Sequence, residues 1–535
     1  MLTLEQVHKT YARIREDWRR DLERRDYAAV WSDIDTFADV ALHVNDRLRD
    51  DEIEQLLRRT AAETLAGEDA GQKARKKAGE NAEAEAGREA GENAEADAEG
   101  GGRQPEGLNP RRVVFYDQMG STVCLVQQYL RGLLAAGYEV LYVFESCYLR
   151  LSPRLRREVE ERCAARCIHD GYAPQRAVEV ARAIRRAIVD FGASKIVIHS
   201  PAHGAAGAAV LYSLPGLMRY RIVPGDHHFY VGIDCIDRFF EFRDFGVKTA
   251  VCERKIPIEK VVKLPFYPLI DTSDAFFGFP REAEGKIKIF VGGNEYKFHG
   301  SAWFFDTCEW LLKQYPEAVI LLSGAKSRRM KRFVAQRGLR GRCLLLGYRT
   351  DFAECVRRSD MLLDSYPFPG GLVCQTAARF GIPILSYTTP DDALNRSVRG
   401  LLGAEEVASP ISFEDDAAFR RYAGRMIADG EFRRAEGRRM QGMLQSEERF
   451  DRELAAVLAG EARPLPRLSE RSCNMENRTR WYIALQNDFS PTILPVLIRR
   501  YGVYLPKFPF LGSLTLRYFK KVVRLLFRHW RKRQF

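Results

Sequence analysis

Over residues 1–65 apolar side chains recur at three- and four-residue spacing, as at Val30, Ile34, Phe37, Ala38 and Leu42, which predicts helices with one buried stripe. The pattern then stops. From Gly67 to Gly107 the composition falls to Ala, Gly, Glu, Asn and Lys, and the heptamer AGENAEA begins at Ala78 and again at Ala90. So little apolar surface cannot offset the entropy of ordering, and residues 66–110 are expected to be a disordered linker. From there short apolar runs alternate with helical spacing. Val113–Tyr116, a helical run Thr122–Ala136 closed by Gly137, and Glu139–Glu145 predict a strand, helix and parallel strand; two further helical segments lead to a strand at Lys195–Ser200. A second series begins at Lys286 with KIKIFVGG, AVILLS, CLLLG, MLLD and PILS as strands and helices between them. Two Rossmann-like, doubly wound α/β domains follow, at 111–270 and 285–460, with further helices over 474–535.

Ligands of such sheets sit beyond the C-terminal ends of the strands. The loop opening the second series is GGNEYKFHG, Gly292–Gly300. Gly292 and Gly293 let backbone approach a ligand and Asn294 follows them; Lys297 and His299 either face a diphosphate at a helix start or are solvated on a tight turn. A second loop lies within LLDSYPFPGGLVCQTAARFGIPILSY, Leu362–Tyr387. Asp364 stands at a strand end, Pro367 and Pro369 form a turn, and Gly370, Gly371 and Leu372 open a helix whose amides and positive end attract phosphate oxygens.

This segment resembles the nucleotide-sugar-binding region of the O-linked N-acetylglucosamine transferase family and its bacterial relatives, on Leu363, Asp364, Pro367, Gly370, Gly371, Gly381 and Pro383. Thr388, Thr389, Pro390 and the stretch DDALNRSVRGLLG with Asn395 are similar to the family's next loop and helix, which contact donor phosphate and sugar. Upstream, SGAKSRRMKRFVAQRGLRGRCLLLGY is similar to the family's helix, strand and loop before the donor site, where the loop after the strand packs on the base, and Lys297 stands where a phosphate-contacting lysine would be. The resemblance covers roughly Lys286–Gly403. It implies the GT-B architecture, two Rossmann-like doubly wound domains facing a cleft, here with an N-terminal helical extension and a C-terminal basic helix. It also implies a glycosyltransferase that takes a nucleotide-sugar, a UDP-sugar, as co-substrate. Gln375 and Thr376 stand where such sites commonly carry a ribose-binding carboxylate, so either Gln375 binds the ribose as a neutral group or the nucleotide is held differently.

In the first domain the loops DQMGST, with Asp117, and PGDHHFYVGIDCIDRFFEFRDFG are expected to face the cleft where an acceptor binds. An inverting transfer needs a base near neutral pH, and Asp226, His227 and His228 are the densest cluster of titratable groups; adjacent residues cannot all face one way. The alternative is that they are hydrogen-bonders at a strand end. Arg238 and Arg243 either oppose a diphosphate or are surface residues, and His199 and His203 are read as structural.

Charge and cysteines narrow the rest. The net charge is +12, but residues 489–535 hold eleven Lys and Arg and no Asp or Glu, so the basicity belongs to a tail and not to a nucleic-acid-binding surface. Phe519, Val522, Val523, Leu526 and Trp530 share one helical face of that tail, opposite Lys520, Lys521, Arg524, Arg528 and Arg531. This pattern fits a helix on an anionic membrane surface, with docking on the first domain or contact with nucleic acid as the alternatives. The eleven cysteines are scattered singly, as in a reducing compartment. Cys163, Cys167 and His169 have roughly metal-ligand spacing on a helix, but nothing completes a site, so no metal is expected. The N-terminus is charged from its fifth residue and no uncharged run reaches eighteen residues, so neither a signal peptide nor a span is expected. These readings place a cytoplasmic enzyme, without cofactor, peripherally at the cytoplasmic face of a membrane, acting on a glycan, lipid-linked or protein acceptor. The alternatives are a non-catalytic scaffold and a sugar-nucleotide epimerase.

Overall fold

The computed structural model describes residues 3–65, 108–120, 123–147, 149–270, 275–298, 301–324, 327–388, 398–402, 411–466, 468 and 475–489. The expected linker up to Gly107, the site candidates Thr389 and Asn395, His299, and the basic tail lie outside these residues.

Three helices precede the first sheet: α1 (Leu4–Glu23), α2 (Tyr27–Val44) and α3 (Asp51–Leu65). Thr3 and Gln6 form a capping box at the start of α1, and Asp26 accepts from the Ala29 amide to cap α2. Their buried faces carry Tyr11, Trp18, Trp31 and Phe37 into a core continuous with one face of the first sheet. The helical layer is thus part of the first domain.

That domain holds seven parallel strands: β1 (Asn109–Asp117), β2 (Glu139–Ser146), β3 (Ala165–Asp170), β4 (Ala193–His199), β5 (Met218–Ile222), β6 (Arg238–Glu241) and β7 (Val261–Lys263), in the order β3-β2-β1-β4-β5-β6-β7. Val113–Tyr116 and Val140–Phe144 are buried without alternation, as parallel strands covered on both faces require. The structure moves some boundaries. Ordered strand begins at Asn109, inside the expected linker. Cys167 and His169 lie on β3, with Cys163 at the end of the preceding helix, so the three do not share a helix. β3 is a half-exposed edge strand without an apolar run, and for that reason the hydrophobic pattern passes over it.

The second sheet has six parallel strands: β8 (Ile287–Gly292), β9 (Ala318–Ser323), β10 (Cys343–Gly347), β11 (Met361–Leu363), β12 (Ile384–Tyr387) and β13 (Ser412–Phe413), in the order β10-β9-β8-β11-β12-β13. The helix Glu447–Leu458 leaves this domain and packs on the first: Phe450 meets Tyr129 edge-on with ring centroids 5.0 Å apart, and Leu454 joins the same core. The approach is close enough that a Cβ on Gly132 would lie 2.9 Å from the Leu454 side chain. The boundary expected at residue 460 is therefore corrected, since the chain has crossed back before residue 447. Helix Met475–Phe489 packs on α2. Two doubly wound domains in this relation are the GT-B arrangement. No described helix is long and apolar enough to cross a membrane.

Candidate active site

In the second sheet the winding reverses between β8 and β11, which makes the space beyond their C-terminal ends the expected ligand site. A cleft of about 870 Å³ opens there. Gly293, Asn294 and Lys297 follow β8 and Phe368–Val373 follow β11; the opposite wall is Pro224–His227 after β5, Arg243 after β6 and Phe266 after β7. Both walls are thus built from C-terminal strand ends of facing sheets.

The second domain supplies a preset turn. Asp364 is buried, and its Oδ1 accepts from the backbone amides of Ser365 and Gly370, each at 2.8 Å. Burial pushes its carboxyl above the usual value against those donors and Lys297. Asp364 is therefore a brace beneath the loop and does not line the cleft, a correction to its expected contact with donor. Because Asp364 takes the Gly370 amide, the amides of Gly371, Leu372 and Val373 are the ones left at the start of helix Gly371–Arg379 without intrahelical partners. Lys297 Nζ donates to Pro369 O at 3.2 Å and lies 5.8 Å from the Phe368 ring centre, which brings a cation to the same corner. Gly292 packs below, against Phe352 and Val373. Gly324 must be glycine: its φ is +95°, and a Cβ there would lie 2.6 Å from the Gly293 carbonyl oxygen.

Gln375 and Thr376 do not face the cleft. Gln375 is buried and donates Nε2 to Leu401 O at 3.0 Å, and Thr376 returns its hydroxyl to Leu372 O at 2.7 Å. The helix starts in a phase that turns both away from the cleft.

In the first domain Asp226 receives Arg243 Nε at 2.5 Å and Nη2 at 3.1 Å, and stands 3.2 Å from His227 Nδ1. Burial alone would raise its carboxyl, but the Arg243 guanidinium and the His227 ring hold it well below the usual carboxylate range. Asp226 is thus a permanent anion that orients the imidazole; with Nδ1 donating to it, the basic lone pair falls on Nε2. This corrects Asp226 as a base candidate. His228 packs over Gly225 and against His227, with ring centroids 4.0 Å apart, and does not line the cleft. Asp117 is fully buried among His199 Nδ1 (3.0 Å), Tyr142 hydroxyl (2.8 Å) and the Met119 amide (2.9 Å), so it shapes its own loop. That removes it from the expected catalytic set. His203 pairs with Asp39 at 3.0 Å, and Arg238 donates to Asp237 O at the N-terminal end of β6.

The sequence reading does not single out Tyr348, Arg349, Phe242, Phe266 or Phe368, which all line the cleft. Tyr348, 87% exposed just after β10, was open to the same strand-end rule that found the other loops.

Below Asp226 sits Glu241, its carboxylate oxygens buried without a hydrogen-bond partner and Arg254 Nη1 3.9 Å away. Burial pushes this carboxyl from 4.5 up to about 8. A carboxyl raised on folding adds stability that is complete below its unfolded value and lost as pH rises through the folded one. Glu241→Gln should therefore match the wild type near pH 4.5 and gain on it up to pH 8. The gain should be at most about 1.4 kcal/mol per pH unit, read from urea midpoints. Parallel stability curves would show that Glu241 does not titrate in this window.

No protein-family model and no curated protein sequence matches the chain. Among solved structures it is similar to HepE of Anabaena in complex with UDP and glucose, at 12% identity over 65% of this chain and 99% of that one, TM-score 0.49. It is also similar to the O-GlcNAc transferase of Thermobaculum terrenum, at 18% identity over 72% and 71% of the two chains, TM-score 0.47. A third is a putative UDP-N-acetylglucosamine 2-epimerase of Listeria monocytogenes, at 11% identity over 65% and 96%, TM-score 0.46.

Proposed function

We propose that the protein is a glycosyltransferase of the GT-B type that moves a sugar from a UDP-sugar held by the second domain to an acceptor held against the first. One observation carries the reading: the Phe368 ring meets His227 from the first domain at 5.9 Å and Lys297 of the second at 5.8 Å, so an oriented imidazole and a diphosphate-binding corner share one cleft. The free amides of Gly371–Val373 and the Lys297 ammonium neutralise a leaving diphosphate, with Arg243 on the facing wall. Tyr348 offers an aromatic face to the base. His227 Nε2 takes the acceptor proton as the new bond forms.

The protein incubated with UDP-glucose or UDP-N-acetylglucosamine and no acceptor should release UDP slowly. Interconversion of the sugars would favour an epimerase, and neither turnover nor a UDP-induced rise in melting temperature would favour a scaffold. Turnover should also persist in chelator, because the second domain carries no Asp-x-Asp pair and meets the diphosphate with a helix start and cations. Activity lost in chelator and restored by magnesium or manganese would overturn that. We place the enzyme at an anionic membrane surface on the charge of residues 489–535. Vesicle binding indifferent to salt and lipid charge would overturn that part.

A further inference from the structure

The segment Asp226–His228 is held by its carbonyls. Arg254, fully buried, donates Nη2 to Asp226 O at 2.8 Å and to His228 O at 2.7 Å. Between them the His227 carbonyl accepts from Asn45 Nδ2 at 2.8 Å, across 182 positions of sequence. Asn45 ends α2 in the left-handed conformation, φ 58° and ψ 39°, with its N–H donating to Ala41 O at 2.8 Å. Its own carbonyl accepts from Thr479 Oγ1 at 3.0 Å. Two residues beyond Thr479, Trp481 stacks on Phe368 at 5.3 Å, and Phe368 is the ring that meets His227 edge-on. The helices outside the two sheets therefore reach His227 twice, at its carbonyl through Asn45 and at its ring through Trp481 and Phe368.

Other ties from this layer go elsewhere: Asp35 accepts from the Gly204 and Ala205 amides, and Glu54 accepts from those of Gly232 and Asp234. Of these ties, the Asn45 bond is the one that reaches a residue lining the cleft. The left-handed cap itself calls for Gly or Asn, and Gly would serve it without strain. What Asn adds is the amide donor.

We propose that Asn45 is a positioning residue for His227: by fixing the plane of the peptide after His227 it fixes where the imidazole points, and it makes the N-terminal helices part of the catalytic unit. The assignment rests on His227 being the proton acceptor proposed above. A ring displaced by about 1 Å can lose up to roughly a hundredfold in rate, whereas donor nucleotide binding belongs to the second domain and is left alone.

The test uses the full chain with Asn45→Gly, which keeps the left-handed cap and removes the donor, and Asn45→Asp, which keeps the shape and sets a carboxylate oxygen against the His227 carbonyl. Both should retain the UDP dissociation constant and the KM for UDP-glucose hydrolysis, with kcat lower by roughly ten- to a hundredfold. In both, carbethoxylation of His227 by diethyl pyrocarbonate, followed by mass spectrometry, should speed up relative to His169 on the remote edge strand. Unchanged kcat in a folded Asn45→Gly protein, a kcat loss in only one of the variants, or an unchanged His227 modification rate would each overturn the assignment. A wild-type protein that hydrolyses no UDP-sugar would sink the transferase reading instead, while the modification rate would still decide whether Asn45 positions His227.

Discussion

Replacing His227 by alanine should lower UDP-sugar turnover by roughly a hundred- to ten-thousandfold, the range that one positioned acid or base contributes, while UDP binds as before. The separation follows from the walls of the cleft. His227 belongs to the first domain and is oriented by Asp226, while the helix start at Gly371 and Lys297 that would hold the diphosphate belong to the second. Transfer and acceptor-free hydrolysis both need a proton removed from the attacking oxygen, so both should fall. The measurement is kcat beside the UDP dissociation constant from calorimetry. Equal weakening of both would make His227 part of the nucleotide site, and a loss under about tenfold would mean another group takes the proton.

Lys297→Ala should weaken UDP binding by about 1.5 to 3 kcal/mol, roughly ten- to a hundredfold, and leave uridine binding nearly unchanged. The ammonium sits at the junction of the loop after β8 and the turn after β11, donating to Pro369 O at 3.2 Å on the wall of the cleft, where its charge can reach phosphate oxygens. A nucleoside without phosphates cannot use that charge. Calorimetry with both ligands checks this. An equal loss for UDP and uridine would show that Lys297 matters only because it pins the Phe368 turn.

The second domain was readable in the sequence because its central strands are buried on both faces and so appear as apolar runs, as at Ala318–Ser323 and Met361–Leu363. Edge strands such as β3 carry no such run. The loops at the strand ends were readable too, but the direction of individual side chains was not. Asp117 and Asp226 both follow or end a strand, and what separates them is contact with residues far along the chain, Tyr142 and His199 for one, Arg243 for the other. Gln375 depends on helical phase, in which one residue of shift at the Gly371 start turns a side chain by about 100°. Asn45 has no local signature beyond a helix end; its partner lies 182 residues on.

The helix Glu447–Leu458 has one more consequence, for the order in which the protein is made. Phe450 and Leu454 complete a core that includes Tyr129, Leu130 and Leu133, which leave the ribosome more than three hundred residues earlier. Domains generally fold as they emerge, but here the second domain can close while the first still lacks a helix. Of the two domains, the first is begun earlier and finished later. A nascent chain stopped at residue 446 would therefore hold a complete second sheet beside a first domain with an exposed apolar face, the species on which chaperones would be expected to act.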